Sequence, residues 1–405
     1  MASSQIILTF FSDHLPASSP PGSHIYYALT VMHILEVTNR RLIRNFLDVS
    51  ERIYQGDPHW IRPLDQDIEA VFDPVRNQAH AHGEAVRWVL FDDHGLPVGR
   101  IAAFVDQQRR GAPEKCVGGC GFFECVQDPV AARMLFNEAE KWLAKRGMKS
   151  MEGPVNFGEN HMWWGLLVEG FSRPYYGMNY HPPYYEQLFR DAGFEVDYVQ
   201  ISNRIEVANA LPERFERIAD WVSKRPGHSF RCFDAGKLKS FTNDFVEIYN
   251  DGWEDFDHFK TLNADTVRQE FESMRAVMDP ELIWFAYVND QPAAFLVVLP
   301  DANELIDGLN GRLDLGGKLR FGWHRLTRKH RRMRALIMGT RKRYRHIGLE
   351  SALFIKLRDA VIRKGHYREL ELSWVGDFNS QMLSIHKATG AFPSKRHVTM
   401  IRHFS

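Results

Sequence analysis

The feature that most constrains this chain of 405 residues is an internal repeat. The segment ARMLFNEAEKWLAKRG (residues 132–147) aligns without a gap on ESALFIKLRDAVIRKG (350–365), and the two end alike, on Gly147 and Gly365. Each has helical spacing of its apolar residues, and each leads into a strand pattern, MKSMEG in the first copy and HYRELELSW in the second. In the second, Leu370, Leu372 and Trp374 alternate with Glu369 and Glu371, the period of a sheet with one apolar face. A strand–turn–strand pattern precedes each helix, at 85–105 and 283–299, and a helix running into glycine follows each, at 184–194 and 382–392. Four matches in one order predict an α/β chain of two tandem units, each a mixed twisted sheet flanked by helices. The length is ample for two cores.

The copies differ where it matters chemically. In the second, the β-like run Ala335 to Met338 leads through a basic turn to Gly348, then to a helix with Leu349, Leu353, Leu357 and Val361 on one face. A strand, a glycine turn and a helix N-terminus together present backbone N–H groups and a positive dipole end to an anion. Stepping back 218 residues from Gly348 lands on Val130, within Gln127-Asp128-Pro129-Val130. There an aspartate repels phosphate, proline has no N–H, and valine has a Cβ where glycine permits close approach. Only the second copy is expected to hold a pyrophosphate.

Arg345-His346-Ile347-Gly348-Leu349-Glu350 resembles the acyl-CoA-binding segment of the GNAT acyltransferase superfamily, roughly Gln/Arg-x-x-Gly-x-Gly/Ala, with Glu350 in place of a small residue. Asn379 and Gly390 match the closing motif of that superfamily, and Ala391 stands in its phenylalanine position. The resemblance spans most of residues 33–405 as two tandem GNAT-like domains: 32–208, degenerate, and 209–405, with the acyl-CoA site. It implies an N-acyltransferase using acetyl-CoA or a longer acyl-CoA, no metal, and direct attack of a primary amine on the thioester. Met338, Gly339, Thr340, Arg343, Arg345, His346, Ile347, Gly348, Leu349 and Glu350 would then line the donor site. His386 takes the position of the family's tyrosine, which protonates the departing thiolate; an ordinary imidazole titrates near the working pH. The competing reading is a partly exposed helical histidine.

An acceptor amine would be drawn to acidic and aromatic residues. The segment 249–259 offers Trp253, Glu254 and Asp255 among others. Glu159 and His161, with Trp163 beside them, and Asp377 beside Asn379 are further candidates for the acceptor side or its base. The first copy also carries an insertion of about 21 residues (218 − 197, the offsets either side of it), within the aromatic stretch 156–185. It reads either as packing between the domains or as an apolar cleft for a long acyl chain. The segments NFGENHMWWGLL and ELSWVGDFN look like those of a bacterial family of ceramide-synthase type, which implies a long-chain acyl group and a sphingoid-base acceptor. The reading from another class is a non-catalytic GNAT-like binding protein at a membrane surface.

From Lys318 to Arg345 the chain carries twelve Lys/Arg and no acid. Lys+Arg and Asp+Glu balance at 51 each, and no nucleic-acid motif is present, so a nucleic-acid partner is not expected. Residues 318–332 read instead as a peripheral membrane contact, with Phe321 and Trp323 entering the interface. Four cysteines without a zinc spacing suit a reducing cytoplasm, with the protein free or at the inner membrane surface. No apolar run reaches spanning length. Residues 1–31, with the run Ser18 to Ser23 rich in Ser, Pro and Gly, read as a disordered extension or an upstream start.

Overall fold

The computed structural model describes residues 32–108, 116–158, 161–255 and 261–404; the expected N-terminal extension and Glu159 lie outside them. The first half runs β1 (His33–Glu36), α1 (Arg40–Ile53), α2 (Asp65–Phe72), β2 (Gly83–Phe91), β3 (Pro97–Asp106), β4 (Val117–Cys125), α3 (Pro129–Ala144), β5 (Ser150–Gly153), β6 (Leu166–Glu169), α4 (Tyr185–Asp191) and β7 (Glu195–Glu206). The second runs α5 (Glu213–Ser223), β8 (His228–Cys232), α6 (Leu238–Trp253), α7 (Ala264–Ser273), β9 (Ile283–Val288), β10 (Gln291–Pro300), α8 (Asn303–Ile306), α9 (Leu315–Thr327), β11 (Arg332–Thr340), α10 (Leu349–Lys364), β12 (Glu369–Gly376), α11 (Ser380–Ala388) and β13 (Phe392–His403). The expected α/β class and repeated sheet-and-helix unit are both present.

The strands form one continuous sheet in the order β1-β2-β3-β4-β5-β13-β7-β12-β11-β10-β9-β8, with β6 pairing on β13. The order shows an exchange. The last strand of each half pairs with the other half: β13 lies antiparallel to β5, with Met400 opposite Gly153, and β7 lies antiparallel to β12, with Leu370 opposite Ile205. The exchanged strands then pair with each other, Val398 opposite Val199. Each half's sheet is therefore completed by the other's last strand.

The helical stripes bury as their spacing predicts. Leu349, Leu353, Leu357 and Val361 of α10 are all buried against β-strand residues such as Leu296, Met333 and Leu372. Leu135, Phe136, Ala139 and Leu143 of α3 do the same in the first half. Each of the leucine, valine and phenylalanine side chains contributes roughly 1.5–3 kcal/mol by leaving water. No helix among the described residues is long and apolar enough to cross a membrane.

The alternation in β12 is present, but its polar face is not solvated. Glu371 is fully buried, because residues of the aromatic stretch lie over the centre of the sheet. The Tyr175 hydroxyl donates to Glu369 at 2.8 Å, the Arg332 guanidinium sits 3.8 Å from the Tyr175 ring centre, and Arg334 donates to the Tyr176 carbonyl at 2.9 Å. Lys395, from the exchanged β13, donates to the carbonyls of Gly170 and Ser172. The insertion thus packs the halves together. Burial raises the Glu371 carboxyl above its usual range and lowers the Lys395 ammonium below its own.

Candidate active site

Strand β11 pairs in parallel with β12 only from Arg332 to Ala335, opposite Glu369 to Leu372; beyond that its far half, through Thr340, keeps β10 as its one strand partner among the described residues. The chain then turns through Arg341–Arg345 to Gly348, whose φ of +87° caps α10 from the left-handed region that glycine enters freely. Among the described residues no acceptor pairs with the backbone N–H of His346, Ile347, Gly348, Leu349 or Glu350. Five unpaired donors at the N-terminus of a sixteen-residue helix make an anion cradle. Arg343 and Arg345 bring charge that no carboxylate neutralises among the described residues: Arg343 lies over the Tyr344 ring, and Arg345 donates to the Gly252 carbonyl at 2.6 Å. Glu350 turns to the strand end and accepts from the Thr340 hydroxyl at 2.7 Å.

The matching turn in the first half is closed. The Asp128 carboxylate caps α3 itself, accepting from Val130 N–H at 2.8 Å and Ala131 N–H at 3.4 Å, with Pro129 in the first turn. The gap beside β4 is filled as well, since Val155 N–H donates to the Cys120 carbonyl and a Cβ at Gly121 would lie 1.9 Å from the Val155 oxygen. The penultimate residue of β11 is Gly339; that of β4 is Glu124, buried and paired with Arg100 across the strands at 3.4 Å. Burial holds the Glu124 carboxyl above its usual range, and Tyr185 donates to it at 2.7 Å. A cavity adjoins this pair, lined by Trp60, Phe122, Trp163, Tyr180 and His181.

The sequence-derived residues fall into two groups. Trp253 packs on β11, so close to Gly339 that a Cβ there would meet its ring at 2.5 Å. Glu254 and Asp255 pair with Lys342 at 2.9 and 2.7 Å, and Asp251 accepts from the Lys342 backbone N–H. The acidic segment therefore braces the basic turn. His161 and Trp163 lie in the first half, Trp163 packing on Phe122 at 5.4 Å. Four strands separate β4 from β11, which sets the groups about 24 Å apart.

His386 is buried rather than partly exposed, and its Nδ1 meets the Asn203 side-chain amide at 3.0 Å. Accepting there leaves the ring proton on Nε2. Burial lowers its pKa to about 4, which corrects the expectation of an imidazole titrating near neutrality. Asn379 caps α11, accepting from Met382 N–H at 3.1 Å, and Asp377 is exposed in the turn before it. The buried polar seam, in which Arg332 pairs with Asp301 at 3.0 Å and Arg334 with Glu371 at 3.6 Å beside Lys395, was not legible in the sequence; the closest signal was glutamates alternating on β12.

This architecture, two sheet-and-helix units with one open and one closed anion cradle, can be compared with known proteins. A tandem GNAT protein from the clavulanic acid biosynthesis pathway superposes with a TM-score of 0.55 at 12% identity, covering 92% of this chain and 98% of that one. The chain has the tandem GNAT fold. No protein-family model matches it. In sequence, the chain is 29% identical over 373 residues to the bacterial ceramide synthase of Caulobacter vibrioides, covering 89% of this chain and 94% of that protein. It is 28% identical over 365 residues to protein YghO of Escherichia coli, covering 89% and 92%.

Proposed function

We propose that the protein is an acyl-CoA-dependent N-acyltransferase with one donor site, in the second half, transferring a long-chain acyl group to the primary amine of a sphingoid base. The observation that carries this reading is the row of unpaired N–H groups from His346 to Glu350, set against the same turn closed by Asp128 in the first half. The similarity to a protein named bacterial ceramide synthase supports the choice of acceptor.

Bound acyl-CoA would supply an activated carbonyl; the chain's own residues bind and orient. The N–H row, with Arg343 and Arg345, suits the pyrophosphate. Met338, Gly339 and Thr340, on the stretch of β11 that β12 leaves, offer backbone groups to the pantetheine arm, and Trp253 walls that stretch. His386 stays neutral, so its contribution to a departing sulfur would be a hydrogen bond from Nε2–H. Asp377 is the exposed carboxylate nearest in sequence to the closing helix and is our candidate for taking the amine proton. A lipid acceptor places the working enzyme at the inner membrane surface.

The test is thermal stabilisation by acetyl-CoA and palmitoyl-CoA, then thiol release with sphinganine, a polyamine or an amino acid as acceptor. Palmitoyl-CoA with sphinganine is expected to respond most. Failure of both CoA esters to raise the melting temperature would remove the donor and with it this reading.

A further inference from the structure

The basic run is divided by β11. Its end at Arg341–Arg345 forms the cradle turn, whereas its beginning forms α9 at the other end of the strand, about 26 Å away for a nine-residue strand. Helix α9 is docked by one side only: His324 is buried with Nδ1 at 2.7 Å from the Leu305 carbonyl, and Phe321 packs towards Ile61, Leu64, Ile306 and Leu309. Phe321 is thus an anchor to the protein, which corrects its expected role at an interface.

The opposite side is apolar and bare. Leu315, Leu319, Trp323 and Leu326 are exposed at 77%, 70%, 67% and 85%. At 100° per residue these four fall within an arc of about 80°, roughly opposite Phe321 and His324. The same periodicity puts Lys318 and Arg325 on one flank of the arc and Arg320 on the other. None of these three cations has a carboxylate partner among the described residues, and between Leu315 and Arg332 the chain has no Asp or Glu.

We propose that α9 is an interfacial helix that docks the protein on an anionic lipid bilayer, with Leu315, Leu319, Trp323 and Leu326 in the acyl boundary and the flanking cations at the headgroups. The charge decides the occupant: an apolar strip edged by unpaired cations complements a negatively charged surface with an apolar interior. Tryptophan suits that boundary because its apolar rings carry a polar N–H. The inference stands on the helix and does not depend on the acyltransferase reading.

The test is co-sedimentation of the full chain with vesicles of phosphatidylcholine alone and of phosphatidylcholine mixed with phosphatidylglycerol. Binding is expected only to the anionic vesicles and should weaken with added salt. Combining Leu319→Ser, Trp323→Ser and Leu326→Ser should lower the bound fraction about tenfold, as should combining Lys318→Glu and Arg325→Glu. These side chains are exposed, so an unchanged melting temperature serves as the folding control, and thiol release with a water-soluble amine should be unaffected. Absence of binding by the unmodified chain, or binding insensitive to both variants, would overturn the proposal. So would conversion of a dimer to a monomer by the serine variant, which would make a second copy the occupant. Loss of thiol release from the unmodified chain would count against the acyltransferase reading alone.

Discussion

Trp253 and Gly339 are fitted to each other: a Cβ on Gly339 would lie 2.5 and 2.8 Å from two ring carbons of Trp253. The tryptophan is held from its other neighbours too, stacked on Tyr249 at 4.6 Å and parallel to Phe295 at 6.3 Å. Helix α6 thereby closes on the stretch of β11 that β12 leaves free. Gly339→Ala is expected to displace the ring, costing about 1–3 kcal/mol of stability and most of the donor affinity. Shortening the ring in Gly339→Ala/Trp253→Leu should restore part of the stability. A double-mutant cycle in denaturant measures the coupling, and simple additivity would mean that the pair is not in contact.

One CoA ester should bind per chain. Gly348 has φ +87°, and a Cβ there would sit 2.7 Å from Cγ2 of Ile218, so Gly348→Asp adds backbone strain, a clash with α5 and a negative charge. Calorimetric titration should show binding abolished in that variant and unchanged in Asp128→Asn. A stoichiometry of two would mean that the first half also binds.

In the proposed donor site, Glu350 would oppose the anion that its neighbours would attract. Removing its charge in Glu350→Ala should tighten binding of CoA about 3- to 10-fold at low salt, the size of a screened charge–charge term at a partly exposed site. Its tie to Thr340 would be lost, so a fall in affinity would assign Glu350 an organising role instead.

His386 should stay neutral through the physiological range. Its folded pKa of about 4 lies below the 6.5 of a free imidazole. Between those values the unfolded chain takes up a proton that the folded chain refuses, so this contribution is complete above pH 6.5 and is lost as pH falls towards 4. The melting-temperature advantage of the native chain over His386→Gln should therefore shrink from pH 7 to pH 5. A constant gap would show that the ring titrates normally.

The strand exchange makes each half depend on the other. A fragment of residues 209–405 lacks β7, which stands between β12 and β13, and 32–208 lacks β13, which covers β5. Each fragment alone should aggregate through open sheet edges, whereas co-expression should yield a soluble complex. Either fragment purifying as a folded monomer would contradict this.

Much of the molecule was legible in the order of its residues, because local periods and turn chemistry act over a few positions. The repeated α3 and α10, the buried stripe from Leu349 to Val361, and the contrast between Gly348 and the Asp128-Pro129 pair all follow from neighbours along the chain. What only the tertiary structure decided depends on which distant elements meet. β7 and β13 carry no local mark of their exchanged partners. Glu371 alternates like a solvent-facing residue, yet residues of 156–185 cover it. Glu254 and Asp255 look like a cation trap until Lys342 is found opposite them. Phe321 and Trp323 share one basic run, but a rotation of about 200° along α9 sends one into the core and the other into water. Spacing sets the angle between two side chains on a helix; only packing decides which of them faces the protein.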